Sequence, residues 1–209
     1  MDDEMTSAVS AVLLAGGQAR RMGGVDKCLQ LLGGKTLLAH VLERIEPQVG
    51  PILLNANGDP DRFKTYGLPV VADVVSGFAG PLAGILTGLR WTKENADACK
   101  WMVSVPTDAP FIPTDLVSSL MSGVVENGCE IACAASCGRT HPVVGIWPVS
   151  LADALERALV DEDIRKIDLW TARYHLAEVG FSADNVDPFF NANRFEDLAE
   201  AERLLPLER

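Results

Sequence analysis

Residues 13–27, LLAGGQARRMGGVDK, gather the residue types that can cradle an anion. The apolar run from Val9 to Leu14, broken only by Ser10, stops at Gly16-Gly17. It reads as a buried strand that opens into a loop. Glycines there let backbone N–H groups approach a phosphate closely, and Arg20, Arg21 and Lys27 add fixed positive charge. The competing reading is a glycine-rich turn with exposed arginines. The loop lacks both G-x-x-x-x-G-K-[ST] and a G-x-G-x-x-G followed by a helix and a distant acid. A second candidate is Asp108, which ends the apolar run Trp101–Val105 and sits between Pro106 and Pro110. A carboxylate there can hold a hard cation such as Mg²⁺, which usually takes one or two carboxylates plus substrate phosphates. It can equally cap the helix that follows. Asn55 offers an amide to a nucleobase or ribose, or simply ends a strand, and Asp73 closes another short apolar run.

These residues need elements to position them, and the patterning supplies alternating strands and helices. Helices are expected over Thr36–Glu46, from Pro81, from Pro113-Thr114 through Val124, from Ser150 (with Asp153 as a capping-box partner), over Ile164–Tyr174, and over Phe195–Leu205. Strands are expected at Pro51–Asn57, Leu68–Ala72, Trp101–Val105, Ile131–Ala135, Val143–Trp147, His175–Val179 and Phe189–Asn193. Gly138–Pro142 reads as a sharp turn. The alternation argues for a single three-layer α/β domain over residues 1–209 with a mostly parallel, Rossmann-like sheet. Ligands of such sheets bind beyond the carboxyl ends of the strands. That rule singles out Gly16, Asn55, Asp73, Asp108 and Asn193.

The balance of 18 basic and 29 acidic residues, a net charge of −11, disfavours nucleic acid and anionic membranes as partners. A cationic loop on such a background favours a small anion. No apolar run reaches the length of a membrane span, and the acidic N-terminus carries no positive n-region, so the cytoplasm is expected. Five cysteines make an odd count, and free thiols are expected. Cys129, Cys133 and Cys137 recur every four residues with His141 continuing the spacing. On a strand, positions four apart lie roughly 13 Å from one another and cannot converge on one ion. Small buried core thiols are the better reading.

The order strand, double glycine, Arg-Met-Gly, Lys resembles the signature loop of nucleotidyltransferases that activate sugars and cofactors with a nucleoside triphosphate. Within that group, LAGG, RMGG and DK are most similar to molybdenum cofactor guanylyltransferases, the MobA-type nucleotidyltransferases with a GT-A-like fold. The similarity continues through Asn55-Ala-Asn57, Asp73, Gly80-Pro-Leu-Ala-Gly84, Pro106-Thr-Asp108, His141-Pro142-Val143 and Phe190-Asn-Ala-Asn193. Two departures stand out: Thr107 where the family usually has cysteine, and Arg194-Phe195 where it has Thr-Pro.

The resemblance implies transfer of GMP from GTP to the terminal phosphate of molybdopterin, with release of pyrophosphate. It implies contacts to GTP from Leu14, Ala15, Gly16, Gly17, Lys27, Asn55, Asp73 and Asp108, catalytic roles for Arg21, Lys27 and Asp108, and Mg²⁺ on Asp108. Other cofactor-biosynthesis proteins or recipient molybdoenzymes are the implied partners. Arg139, His141, Asn191 and Asn193 are expected to face molybdopterin, away from the nucleotide residues. The bland alternative for His141 is a turn histidine bonded to its own backbone. Rival activities are a cytidylyltransferase for the same cofactor or a sugar-phosphate nucleotidyltransferase, families that tend to read LAAG at the loop entrance. A non-catalytic nucleotide-binding adaptor would not need Lys27 or Asp108.

Overall fold

A computed structural model describes residues 8–15, 26–75, 77 and 80–207. The sheet starts with β1 (Val9–Leu14), whose side chains alternate between two faces. Val9, Ala11 and Leu13 enter one apolar cluster, Val12 the other. A small antiparallel hairpin of β2 (Leu31–Leu32) and β3 (Lys35–Thr36) follows, and leads directly into α1 (Leu37–Ile45). Thr36 caps that helix, its Oγ1 accepting the Ala39 N–H at 3.1 Å. Next come β4 (Ile52–Asn55), a 3₁₀ segment Pro60–Tyr66, β5 (Val70–Val71) and α2 (Pro81–Asn95). The second half holds β6 (Trp101–Pro106), α3 (Leu116–Asn127), β7 (Ile131–Ser136), β8 (Arg139–Pro148), α4 (Ala152–Val160), α5 (Ile167–Thr171), β9 (Leu176–Gly180) and α6 (Phe195–Leu204).

Seven strands form one sheet in the order β5-β4-β1-β6-β8-β7-β9, and only β8 runs antiparallel to its neighbours. Helices cover both faces. Leu38, Val41 and Ile45 of α1 and Leu116 and Leu120 of α3 pack on one side. Leu82, Ile85, Leu86 and Leu89 of α2, with Leu155 and Leu159 of α4 and Trp170 of α5, pack on the other. This is the expected three-layer, mostly parallel α/β arrangement. A third, smaller cluster joins Leu32 and Leu37 to Phe111, Ala192, Leu198 and Ala201, so the C-terminal segment lies over the β2–β3 hairpin. No helix among the described residues is long and apolar enough to cross a membrane.

Several local expectations need correction. Phe189–Asn193 is not a strand. Phe189 is buried by ring contacts to His141 and Phe181 instead, and the Phe190 N–H closes a turn onto the Asp187 carbonyl at 3.0 Å. The turn between β7 and β8 is two residues, not five. Cys137 (φ 50°) and Gly138 (φ 71°) both adopt left-handed backbone, which matches the twist of a tight hairpin. Arg139 to Pro142 therefore belong to β8. Ser150 caps nothing, because a 3₁₀ turn at Val149–Leu151 runs into α4 without a side-chain cap. The helix expected over Ile164–Tyr174 shortens to Ile167–Thr171. Of the three regularly spaced cysteines only Cys133 is buried. Cys137 is exposed in the hairpin turn and Cys129 is half-buried.

Candidate functional site

Four parallel strands end on a common rim. Leu14 of β1 is in register with Asn55 of β4 and Pro106 of β6, and Asn55 in turn with Val71 of β5. Loops leaving these positions carry most of the candidate residues. The rim is stitched by short bonds: the Ala15 N–H donates to the Asn55 carbonyl at 2.9 Å, and the Thr107 Oγ1 donates to the Leu14 carbonyl at 3.1 Å. Thr107, one of the two departures from the family pattern, thus secures the loop that presents Asp108.

Asp108 follows β6 by two residues. Its Oδ2 pairs with the Lys27 ammonium, and Lys27 Nζ also donates to Asn193 Oδ1. Its Oδ1 is buried and has no hydrogen-bond partner among the described residues, the arrangement expected of an oxygen kept for a ligand. The Ala192 N–H donates to the Asp108 carbonyl at 2.9 Å, which fixes the C-terminal segment here. Asp197 accepts from the N–H groups of Asn193 and Arg194, both at 2.8 Å, and so caps α6 at the second departure from the family pattern. The expected separation of Asn193 from the nucleotide residues does not hold. Asn193 shares Lys27 with Asp108, because the segment carrying it is drawn onto the rim by Ala192 rather than ending a strand of its own.

Beside this group lies a second one. Asn55 is almost fully buried, and its Nδ2 donates to the Val71 carbonyl at 3.2 Å and to Asp73 Oδ1 at 3.0 Å. Asn57 Nδ2 takes Asp73 Oδ2 at 2.8 Å, and its Oδ1 accepts the Asp73 N–H at 3.0 Å. Asp73 is therefore engaged on both carboxylate oxygens by amides. Gly84 of α2 touches this group: a Cβ there would collide with Asn55 Oδ1 and come within 2.6 Å of Leu14 Cδ2. Sequence reasoning gave Asn57 no role, although its two-residue spacing from Asn55 was visible. It missed Arg62 altogether. Arg62 Nε lies 2.7 Å from Asp26 Oδ2 and its Nη2 donates to the Asn57 carbonyl at 2.5 Å, tying the end of the glycine loop to the asparagine group.

Arg139 and His141 occupy a third cluster, on β8. Arg139 is exposed, while His141 Nε2 lies 2.8 Å from Ser136 Oγ, which donates to Asp187 Oδ1 at 2.7 Å. Burial holds His141 below its ordinary 6.5; Asp187 opposes that shift and Arg139 reinforces it. His141 bonds a side chain of the partner strand, not its own backbone. Asn191 is exposed. Gly16, Gly17, Arg20 and Arg21 lie outside the described residues.

Comparison with known proteins agrees with this fold. Residues 11–175 match the model of the MobA-like NTP transferase domain. A molybdenum cofactor guanylyltransferase of Bradyrhizobium sp. is 55% identical over 208 residues, covering 100% of this chain and 98% of the relative. One from Nitrobacter hamburgensis is 54% identical, covering 94% of each chain. Among solved structures, molybdopterin-guanine dinucleotide biosynthesis protein A from Archaeoglobus fulgidus superposes with a TM-score of 0.73 at 25% identity, covering 94% of this chain and 98% of that one. A 4-diphosphocytidyl-2C-methyl-D-erythritol synthase from Anaerococcus prevotii shares the fold, with a TM-score of 0.74 at 12% identity over 99% of this chain and 100% of its own. With a family model matched over most of its length and relatives above half identity end to end, the chain belongs to the MobA-like NTP transferases.

Proposed function

We propose that this protein transfers the guanylyl group of GTP to the terminal phosphate of molybdopterin. One observation carries the reading: at the carboxyl rim of the sheet Asp108 pairs one oxygen with Lys27 and keeps the other buried, without a partner among the described residues. A phosphate oxygen of molybdopterin attacks the α-phosphorus of GTP, the bond to the bridging oxygen breaks, and pyrophosphate leaves. A phosphate monoester has its second pKa near ~6 and is already a dianion at neutral pH. It needs no general base. The site must instead align two anionic substrates and offset their repulsion.

Lys27 is suited to the second task, since its ammonium already sits between a carboxylate and the Asn193 amide. Leu14, Ala15, Asn55 and Asp73 form the nucleotide end, with Gly16, Gly17 and Arg21 assigned to it from the sequence pattern. In our reading Asn55 and Asn57 are held in orientation by Asp73, so the carboxylate acts chiefly by fixing two amides. Arg139, His141, Asn191 and Asn193 form the acceptor end, with Asn193 at the junction of the two. A divalent ion, which we assign as Mg²⁺ from the hard oxygen donor, fits Asp108 because Oδ1 is available to it. Bound there, it would supply positive charge to the phosphates.

The rival cytidylyl activity is separated by nucleotide competition. At matched concentrations with molybdopterin as acceptor, GTP should be consumed in preference to CTP and ATP. The motive is Gly16-Gly17 at the loop entrance, where the alanine that the rival families carry in place of Gly16 would add a methyl beside the base. Equal turnover with CTP would overturn the assignment of GTP.

A further inference from the structure

The cluster on the β7–β8 hairpin has a polarity that its own bonds determine. Asp187 Oδ1 accepts the Phe189 N–H at 3.0 Å as well as the Ser136 hydroxyl. An ionised carboxylate can only accept, so the one proton on Ser136 Oγ goes to Asp187. Ser136 is 5% exposed, which leaves little room for water to exchange roles with either neighbour. Its Oγ is then the acceptor toward His141, and His141 Nε2 must carry the proton it donates across 2.8 Å. A neutral imidazole has one N–H only, so Nδ1 is left with its lone pair. The ring is further held against Phe189, with centroids 4.8 Å apart.

We propose that Asp187, acting through Ser136, locks His141 in the Nε2–H form so that Nδ1 accepts a hydrogen bond from an N–H group of the pterin substrate. This rests on the acceptor end assigned above. A pterin presents amino and ring-amide N–H donors, and a locked imidazole is a better discriminator for them than an amide. The exposed Asn191 can turn either face of its amide to a ligand, whereas a neutral His141 so fixed offers no proton at Nδ1. The charged groups around the ring are Asp187 from the C-terminal segment and Arg139 from its own strand. Ser136 and Asp187 are positioning residues here, and the same link secures the segment that brings Asn193 to Lys27.

Nitrogen NMR of the intact protein reads the tautomer directly, with His141→Gln removing the signal that assigns it. The expected result is protonated Nε2 and bare Nδ1 in the wild type, and a mixture of the two forms in Ser136→Ala. Direct titration with molybdopterin supplies the second reading. His141→Phe, which keeps a ring against Phe189, should weaken binding about three- to tenfold, the usual effect of one lost hydrogen bond. His141→Gln keeps a donor for Ser136 and an acceptor for the ligand, and should retain most of the affinity. GTP affinity should be unchanged in both. An Nδ1–H tautomer in the wild type overturns the relay. Unaltered molybdopterin binding in His141→Phe, or an equal loss of GTP binding, overturns the role given to Nδ1. A wild-type protein that binds both substrates yet transfers nothing would contradict the proposed reaction and leave these two readings decisive for His141.

Discussion

The chemistry of the site rests on single charges whose placement follows from where strands end. Asp108 and Lys27 could be found in the sequence because one closes an apolar run and the other closes a glycine loop, and the sheet brings both to the same rim. Replacing Asp108 with Asn keeps the shape and removes the charge. The rate should fall at least about a hundredfold, a magnitude typical of losing one preorganised electrostatic contributor, while the thermal midpoint moves by only a few degrees. Rate and melting curve together check this, and near-normal turnover would reduce Asp108 to a turn residue. Chelation of divalent ions should abolish turnover of the wild type and restore it on adding Mg²⁺. Arg62 could not be foreseen. Its partners Asp26 and the Asn57 carbonyl are 36 and 5 positions away along the chain, and nothing in a 3₁₀ segment's patterning says which way a side chain reaches. Asn193 was flagged for the right residue type and given the wrong neighbourhood, since irregular backbone has no period to read.

At the scale of elements, regular segments were legible and their junctions were not. The amphipathic spacing of α1 and the apolar run of β1 survive intact, because burial on a helix stripe or a sheet face imposes a period on the sequence. The β7–β8 hairpin was misread since cysteine rarely adopts the left-handed conformation that Cys137 takes, so the Cys-Gly pair carried a weak turn signal. That error bears on the role proposed for His141: it placed the residue in a turn, when the strand fixes it opposite Ala134 and within reach of Ser136. α2 shows an element positioning a site through the absence of a side chain. Gly84 lets the helix press on Leu14 and Asn55. Gly84→Ala should force those groups apart, destabilise the protein by roughly 1–3 kcal/mol as overpacking does, and weaken GTP binding more than molybdopterin binding. Chemical denaturation and two titrations test both parts.

Taken whole, the molecule has a pH limit set by its buried thiols. Burial pushes Cys28 from 9.0 to about 11, helped by Asp26, and Cys133 from 9.0 to about 12, helped by Glu178 and Asp168. The folded form thus holds protons that the unfolded chain releases above pH 9. Raised folded values mean stability is fully present below that pH and is lost as pH rises toward 11, by up to about 1.4 kcal/mol per unit for each thiol. Denaturation midpoints measured across this range should fall, and Cys28→Ala should flatten the decline; an unchanged slope in that variant would show that Cys28 is not a source of it. The proposed reaction, too, belongs to the whole molecule, because we assign its nucleotide end to β1, β4 and β6 and its acceptor end to β8 and the C-terminal segment. GTP labelled at the α-phosphate, incubated with Mg²⁺, molybdopterin and the protein, tests the account most directly. The label should pass into a pterin–guanine dinucleotide while pyrophosphate accumulates in equal amount, and Asp108→Asn should suppress both. Label recovered as free GMP, or pyrophosphate formed without a labelled dinucleotide, would contradict it.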